Sequence, residues 1–194
     1  MQATTTGTTE GWLSTLTRHA LPAGEIKLDT SYKAVAVRVH TETVYLVTFA
    51  SIYIPGRVEV RINELNFLIQ QLSTPFVLMG EFKAHHREWG NSHNDSRRCV
   101  IEQVITESKI NFMNTGSSTH LSVTAIDLTL ISPSLNAGTS FRTFPSVLSS
   151  NHYPIIVTSV ARANNREVSE IYNYKKGSWK QYSGDAIWKD LQRE

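Results

Sequence analysis

Four short stretches of the sequence carry side chains able to do chemistry where a fold would hold them still. Ser51-Ile52-Tyr53-Ile54-Pro55 ends an apolar run with a polar-tipped ring. Gly80-Glu81-Phe82-Lys83-Ala84-His85-His86 directly follows a short, wholly apolar run. Ala125-Ile126-Asp127-Leu128-Thr129 sets one carboxylate inside an apolar strand. Ser149-Ser150-Asn151-His152-Tyr153-Pro154-Ile155 leads into a last apolar run. Polar residues at strand ends build sites readily, because strands are rigid and the loops beyond them are exposed.

Asp127 is the most informative of these. Flanked by Ile126 and Leu128, it needs a polar partner, since burying a carboxylate alone is costly. A histidine would serve: the carboxylate fixes its tautomer and leaves the other ring nitrogen for chemistry. One reading is therefore an Asp127–His152 pair. The other is a structural Asp127 satisfied elsewhere and an unrelated surface His152, and the residues alone leave both open. The adjacent His85 and His86 suggest a metal, but neighbours on an extended segment point to opposite sides. No third ligand stands at useful spacing, so a loop role is the better reading.

The elements that would hold these residues follow from periodicity. Lys33–His40 and Val44–Ile54 alternate with a period near two across a short gap and predict an antiparallel hairpin. Pro55-Gly56 stops the second strand. From Val58 to Leu72, Ile62, Leu65, Leu68, Ile69 and Leu72 fall at helical spacing. Phe76–Met79 reads as a strand buried on both faces. A second helix is predicted over Ser96–Ser108, capped by Asp95 or Ser96. Further strands are predicted at Ile110–Met113, Ala125–Ser132 and Pro154–Ala161, with another at Trp12–Arg18. Asn114–Ser122 and Pro133–Ser150 read as polar loops. The mixture implies a layered α/β or α+β architecture.

The 194 residues suffice for one domain, and 40% apolar with 19% charged is an ordinary globular balance. No apolar run approaches the ~20 residues of a membrane helix. The Thr-rich start lacks the basic and apolar parts of a secretory signal. Cys99 stands alone, which excludes an internal disulfide and a cysteine zinc site. A net charge of +2 permits nucleic-acid binding without arguing for it. Residues 162–194 are polar, with seven Lys/Arg, five Asp/Glu and several aromatics. They read as a linker tail with a short terminal helix near Asp185–Leu191.

Taken in order, these pieces resemble one family. PFVLMGEFKAHHREWG is similar to its P-F-I-x-x-G-D-F-N-A-H segment ending in W-G. AIDLTLISPSL is similar to its I-D-L-T strand, SNHYPI to its S-D-H-(Y/F)-P-I segment, and SIYIP to its S-(I/L)-Y-x-P strand. The family is the endonuclease domain of jockey-like non-LTR retrotransposons, within the endonuclease/exonuclease/phosphatase superfamily. The resemblance covers about residues 11–161, and YNYKKGSWKQY resembles the linker toward a reverse transcriptase. It implies a partial nuclease domain over residues 1–161 and a tail over 162–194. The implied fold is two packed mixed or antiparallel sheets flanked by helices. The implied activity is Mg²⁺-dependent nicking of DNA in the nucleus, with no membrane, no small-molecule cofactor and an open oligomeric state. Such chemistry combines a metal that absorbs developing charge, a carboxylate that positions water and a histidine beside the phosphoryl oxygen.

Carried over residue by residue, the resemblance gives Tyr53 the phosphate contact and Asp127 with His152 the Asp–His pair. Lys83, His85 and Arg87 would face nucleic acid. Three positions depart from the pattern. Glu81 replaces the aspartate that orients water, Lys83 an asparagine, and Asn151 the aspartate beside the histidine. The family's N-terminal strands, one with Asn and one with a metal-binding Glu, have no counterpart before Gly11. The expectation is thus a copy with no intact metal site, Glu81 and Asn151 lying at or near the metal-site carboxylate positions, and nicking impaired or absent. A non-catalytic nucleic-acid-binding remnant or a pseudogene fragment is the alternative.

Overall fold

The computed structural model describes residues 2–8, 11–17, 21–41, 46–147 and 150–159. Among these residues ten strands and two α-helices follow in order: β1 (Gln2–Thr8), β2 (Gly11–Thr17), β3 (Ala23–Ile26), β4 (Lys33–His40), β5 (Leu46–Tyr53), α1 (Ile62–Gln71), β6 (Phe76–Glu81), α2 (Ser96–Glu107), β7 (Asn111–Phe112), β8 (Asp127–Ile131), β9 (Thr139–Thr143) and β10 (Ile155–Ser159). Six strands form one mixed sheet in the order β3-β4-β5-β6-β8-β7. Only β5 and β6 run parallel, joined through α1; the remaining neighbours are antiparallel. Two antiparallel hairpins, β1-β2 and β9-β10, make up the second layer, and β1-β2 packs against β4 and β5. The fold is a two-sheet α/β sandwich flanked by helices.

The pleat sorts the central strands between two environments. Ala36, Ala50, Ile52, Phe76, Leu78, Leu128 and Leu130 share one core with Leu65, Leu68 and Ile69 of α1 and Ile101 and Val104 of α2. Their intervening neighbours, including Val35, Val37, Val39, Val47, Val77 and Ile131, are also buried. Strands covered on both sides read as continuous apolar runs, as the sequence of Phe76–Met79 implies.

The expected hairpin of β4 and β5 is present, with β5 beginning at Leu46 among the described residues. The first helix begins at Ile62 rather than Val58, because the Val58 amide turns back to the Pro55 carbonyl and Arg61 stays extended as N-cap. Asp95 caps α2 by accepting the Arg98 amide, as its type predicts. The strands predicted at Ile110–Met113 and Ala125–Ser132 shorten to β7 and β8, and β10 covers Ile155–Ser159. Pro133–Ser150, read as loop, contains β9, whose alternation is weak and whose extended state comes from pairing with β10. The Thr-rich start forms β1 and Ala23–Ile26 forms β3, both edge strands in their sheets with no apolar run to announce them. Among the described residues no helix is long and apolar enough to cross a membrane. The tail and its expected terminal helix lie outside the described residues.

Candidate active site

Register places the chemistry. Lys33 of β4 pairs with Tyr53 of β5, Tyr53 with Glu81 of β6, and Glu81 with Asp127 of β8. Directly paired residues share a face of the sheet, so these four side chains form one row across four strands. Because alternate residues face opposite ways, Ile52, Gly80 and Leu128, one step along, point instead toward the helices. The row forms the floor of a cleft of about 570 Å³, walled by Leu13 of β2, Ile155 of β10, and His152 with Tyr153.

Gly80 allows the row to close up. Its φ is +153°, and a Cβ there would stand 1.8 Å from the Ile52 carbonyl oxygen. Only glycine lets β6 approach β5 so closely just before Glu81. Beyond the row, Thr119 and two asparagines hold β8. The buried Thr119 hydroxyl oxygen accepts the Ile126 and Asp127 amides, each at 3.1 Å. Asn114 donates to the Asp127 carbonyl at 2.8 Å and accepts from the Thr129 amide at 2.9 Å. Asn91 grips Ala125 through both its amide (2.8 Å) and its carbonyl (3.1 Å). Gly90 makes that grip reachable, since a Cβ on it would lie 2.1 Å from the Gly116 carbonyl oxygen.

His152 Nδ1 lies 2.8 Å from Asp127 Oδ2, which joins the pair that the residues alone left open. An ionised carboxylate only accepts, so Nδ1 carries the proton and Nε2 is left toward the cleft. That Nε2 is 4.0 Å from Glu81 Oε2, and the His120 ring meets the His152 ring edge-on at 4.8 Å. Lys83 Nζ stands 2.5 Å from Glu81 Oε1, a charge contact not aligned as a hydrogen bond. Lys83 also holds a left-handed backbone, φ 52°, which asparagine tolerates better than lysine.

Tyr53, Glu81, Asp127 and His152 thus line one cleft, and Lys83 reaches it through Glu81. Asn151 is exposed beside it, its carbonyl taking the Leu121 amide, and does not line it. His85 and Arg87 do not line it either. His85 Nδ1 is bound by Asp95 at 2.9 Å with its ring on His93, and Arg87 is exposed at the start of a 3₁₀ turn. His86 turns the other way, its Nε2 3.1 Å from Glu102, so the two neighbouring histidines do not share a ligand. Lys33, Asn91, Asn114, Thr119 and His120 were not legible as site residues. Only Asn91, next to the W-G motif, carried any signal.

Donor atoms of Glu81, Asp127 and His152 all lie within 4.8 Å of one another, the one such group of three or more among the described residues. The sequence expects no intact metal site, and these donors do come together. They nevertheless do not fit Mg²⁺ as they stand. That ion takes oxygen ligands at close range, whereas here an ammonium occupies Glu81 and one donor is an imidazole already tied to Asp127. The arrangement can hold an anionic group beside a histidine of fixed tautomer.

Comparison with known proteins bears on this geometry. Residues 47–156 match the model of the endonuclease–reverse transcriptase family. Over 123 residues, 60% of its length, the chain is 24% identical to the probable RNA-directed DNA polymerase from transposon X-element of Drosophila melanogaster. Over 86 residues, 44% of its length, it is 29% identical to the RNA-directed DNA polymerase from mobile element jockey of the same fly. It spans only 13% and 9% of those two relatives. In structure it is similar to the endonuclease domain of TRAS1, a telomere-specific non-LTR retrotransposon. The TM-score is 0.71 at 16% identity, over 80% of this chain and 76% of that one.

Proposed function

The chain belongs to the endonuclease–reverse transcriptase family, on its jockey-like non-LTR retrotransposon branch, and from that premise we propose that its cleft takes the phosphodiester backbone of DNA for nicking. The observation that carries the reading is the Asp127–His152 pair, at 2.8 Å where the floor of the cleft meets its wall. Asp127 orients the imidazole, and His152 Nε2, once the ring carries a second proton, donates to a phosphoryl oxygen. Tyr53 stands in the same row to contact the phosphate.

In this copy the hydrolytic step is impaired. Glu81 carries a carboxylate one methylene longer than the aspartate of the pattern, a displacement of roughly an ångström of the kind that costs about 10²-fold. Lys83 neutralises it and repels any cation that would bind there. Mg²⁺, when held by related domains, would supply charge neutralisation at the phosphoryl group; here Glu81 would be its oxygen donor only after Lys83 is gone.

The test is supercoiled-plasmid nicking in Mg²⁺ by the unmodified chain and by Glu81→Asp/Lys83→Asn/Asn151→Asp. The repaired chain is expected to gain at least ~10²-fold, and His152→Ala in that background to remove most of the gain. Equal rates in both, unaffected by His152→Ala, would overturn the reading. A second reading, DNA binding without cleavage, is favoured by the Lys83–Glu81 contact and would appear as binding without nicking in both chains.

A further inference from the structure

Lys33 completes the cleft-floor row with Tyr53, Glu81 and Asp127 and lines the cleft. Its ammonium is buried yet finds no hydrogen-bond partner among the described residues. The Tyr53 ring lies beside it, 5.5 Å from Nζ to the ring centre. A buried ammonium needs its hydrogen bonds satisfied, and one cation–π contact replaces only part of that. The other cation of the site, Lys83, is already matched by Glu81. Lys33 is therefore an uncompensated positive charge built into the wall of a cleft, on a flexible stem able to swing its head.

We propose that Lys33 anchors a phosphate of the DNA backbone in this cleft, and does so without a divalent metal. The proposal rests on the nucleic-acid reading above. The entering non-bridging oxygen supplies the acceptor that Nζ lacks, and the phosphate settles beside Tyr53, within the row that leads to Glu81 and Asp127. The orphaned charge costs the free protein stability, which is why such a group persists where a ligand uses it.

The experiment measures anisotropy of a fluorescent DNA duplex in EDTA, as a function of salt, together with thermal unfolding of the same proteins. Lys33→Met keeps the apolar stem and removes the charge; Lys33→Arg keeps the charge; Lys27→Met removes an exposed charge elsewhere. Lys33→Met is expected to bind about tenfold more weakly, with the slope of log K against log salt reduced by about one. Lys33→Arg keeps both affinity and slope, and Lys27→Met changes neither by more than about twofold. Inorganic phosphate at matched ionic strength competes with DNA on the unmodified protein and competes less on Lys33→Met.

Thermal unfolding separates anchoring from a structural role. Lys33→Met should raise the Tm by about 2 °C or more, since an unpaired buried charge has gone; a lowered Tm would mark Lys33 as structural and overturn the proposal. Unchanged affinity and slope in Lys33→Met would overturn it while leaving DNA binding intact. An unmodified chain that binds no DNA in EDTA but binds it in Mg²⁺ overturns the metal-free anchoring alone. No binding in either buffer overturns the nucleic-acid reading with it.

Discussion

Replacing Lys83 by asparagine changes two things at one position. It removes the ammonium 2.5 Å from Glu81 Oε1 and places at φ 52° a residue that adopts this backbone readily. An ammonium at such a distance opposes a cation by on the order of 1–4 kcal/mol, depending on the local dielectric. Titration calorimetry with Mn²⁺ should therefore show at least ~10-fold tighter binding in Lys83→Asn, and line broadening should single out the His152 ring. Equal affinity would mean that Lys83 is not what keeps a metal away. Asp127→Asn tests the neighbouring pair. It should fold, hold His152 without fixing its tautomer, and lower nicking in the repaired background by about 10²–10⁴-fold. At this scale the sequence was most legible where a motif and a physical need coincided: Asp127 required a partner and His152 was offered. Lys33 was invisible because its meaning lies in a register across four strands, and its own neighbours, Tyr32 and Ala34, say nothing about it.

Elements set how firmly those side chains are held. Asp95 links two of them, accepting the Arg98 amide at the start of α2 and the His85 ring and amide from the loop after β6. Burial raises its pKa, but the bonds from His85 and Arg98 outweigh that and leave it below the ordinary value of 3.8. A depressed carboxylate contributes stability fully present above the unfolded pKa and lost as pH falls through the folded one. Urea unfolding should thus show Asp95→Ala about 1 kcal/mol or more less stable at neutral pH. The difference should shrink only in acid, below the ordinary carboxylate range. A gap that closes already between pH 5 and 7 would show that the Asp95 carboxylate is not the group that sets it. Gly80→Ala is the harsher test: with 1.8 Å to the Ile52 carbonyl oxygen, β6 must shift, and Glu81 with it. Helices and inner strands were legible because period and burial agree there; β1, β3 and β9 were not, because edge strands take their conformation from a partner.

Across the whole molecule, the two halves of the Asp–His pair sit on supports of unequal strength. Asp127 belongs to the six-stranded sheet, whose middle strands are buried under both layers. His152 precedes β10, a strand half-buried at best and, among the described residues, paired only with β9; it is tied back by the Tyr153 amide to the Thr119 carbonyl and by a bridge to His120. Few buried contacts mean easy local opening. Hydrogen exchange should therefore find β10 amides at least ~10²-fold less protected than those of Leu78 and Ala50. On warming, the His152 ring signal should change before the far-ultraviolet signal does; simultaneous loss would show the β9-β10 hairpin to be an integral part of the cooperative unit.

The row of Lys33, Tyr53, Glu81 and Asp127 also gives the chain a kind of parity. Each member faces the cleft because an even number of pleats separates it from its buried-layer companions, and one extra residue in a strand or its turn reverses that count from there on. Such an insertion in β5 ahead of Tyr53 would turn Tyr53 toward the helices and put Ile52 in its place at the cleft, while composition, charge and every motif stayed readable. Copies of this sequence that differ by many substitutions can keep the row, whereas copies that differ by one inserted residue within these strands lose it. Length, within β4, β5, β6 and β8, is the more stringently constrained quantity than identity.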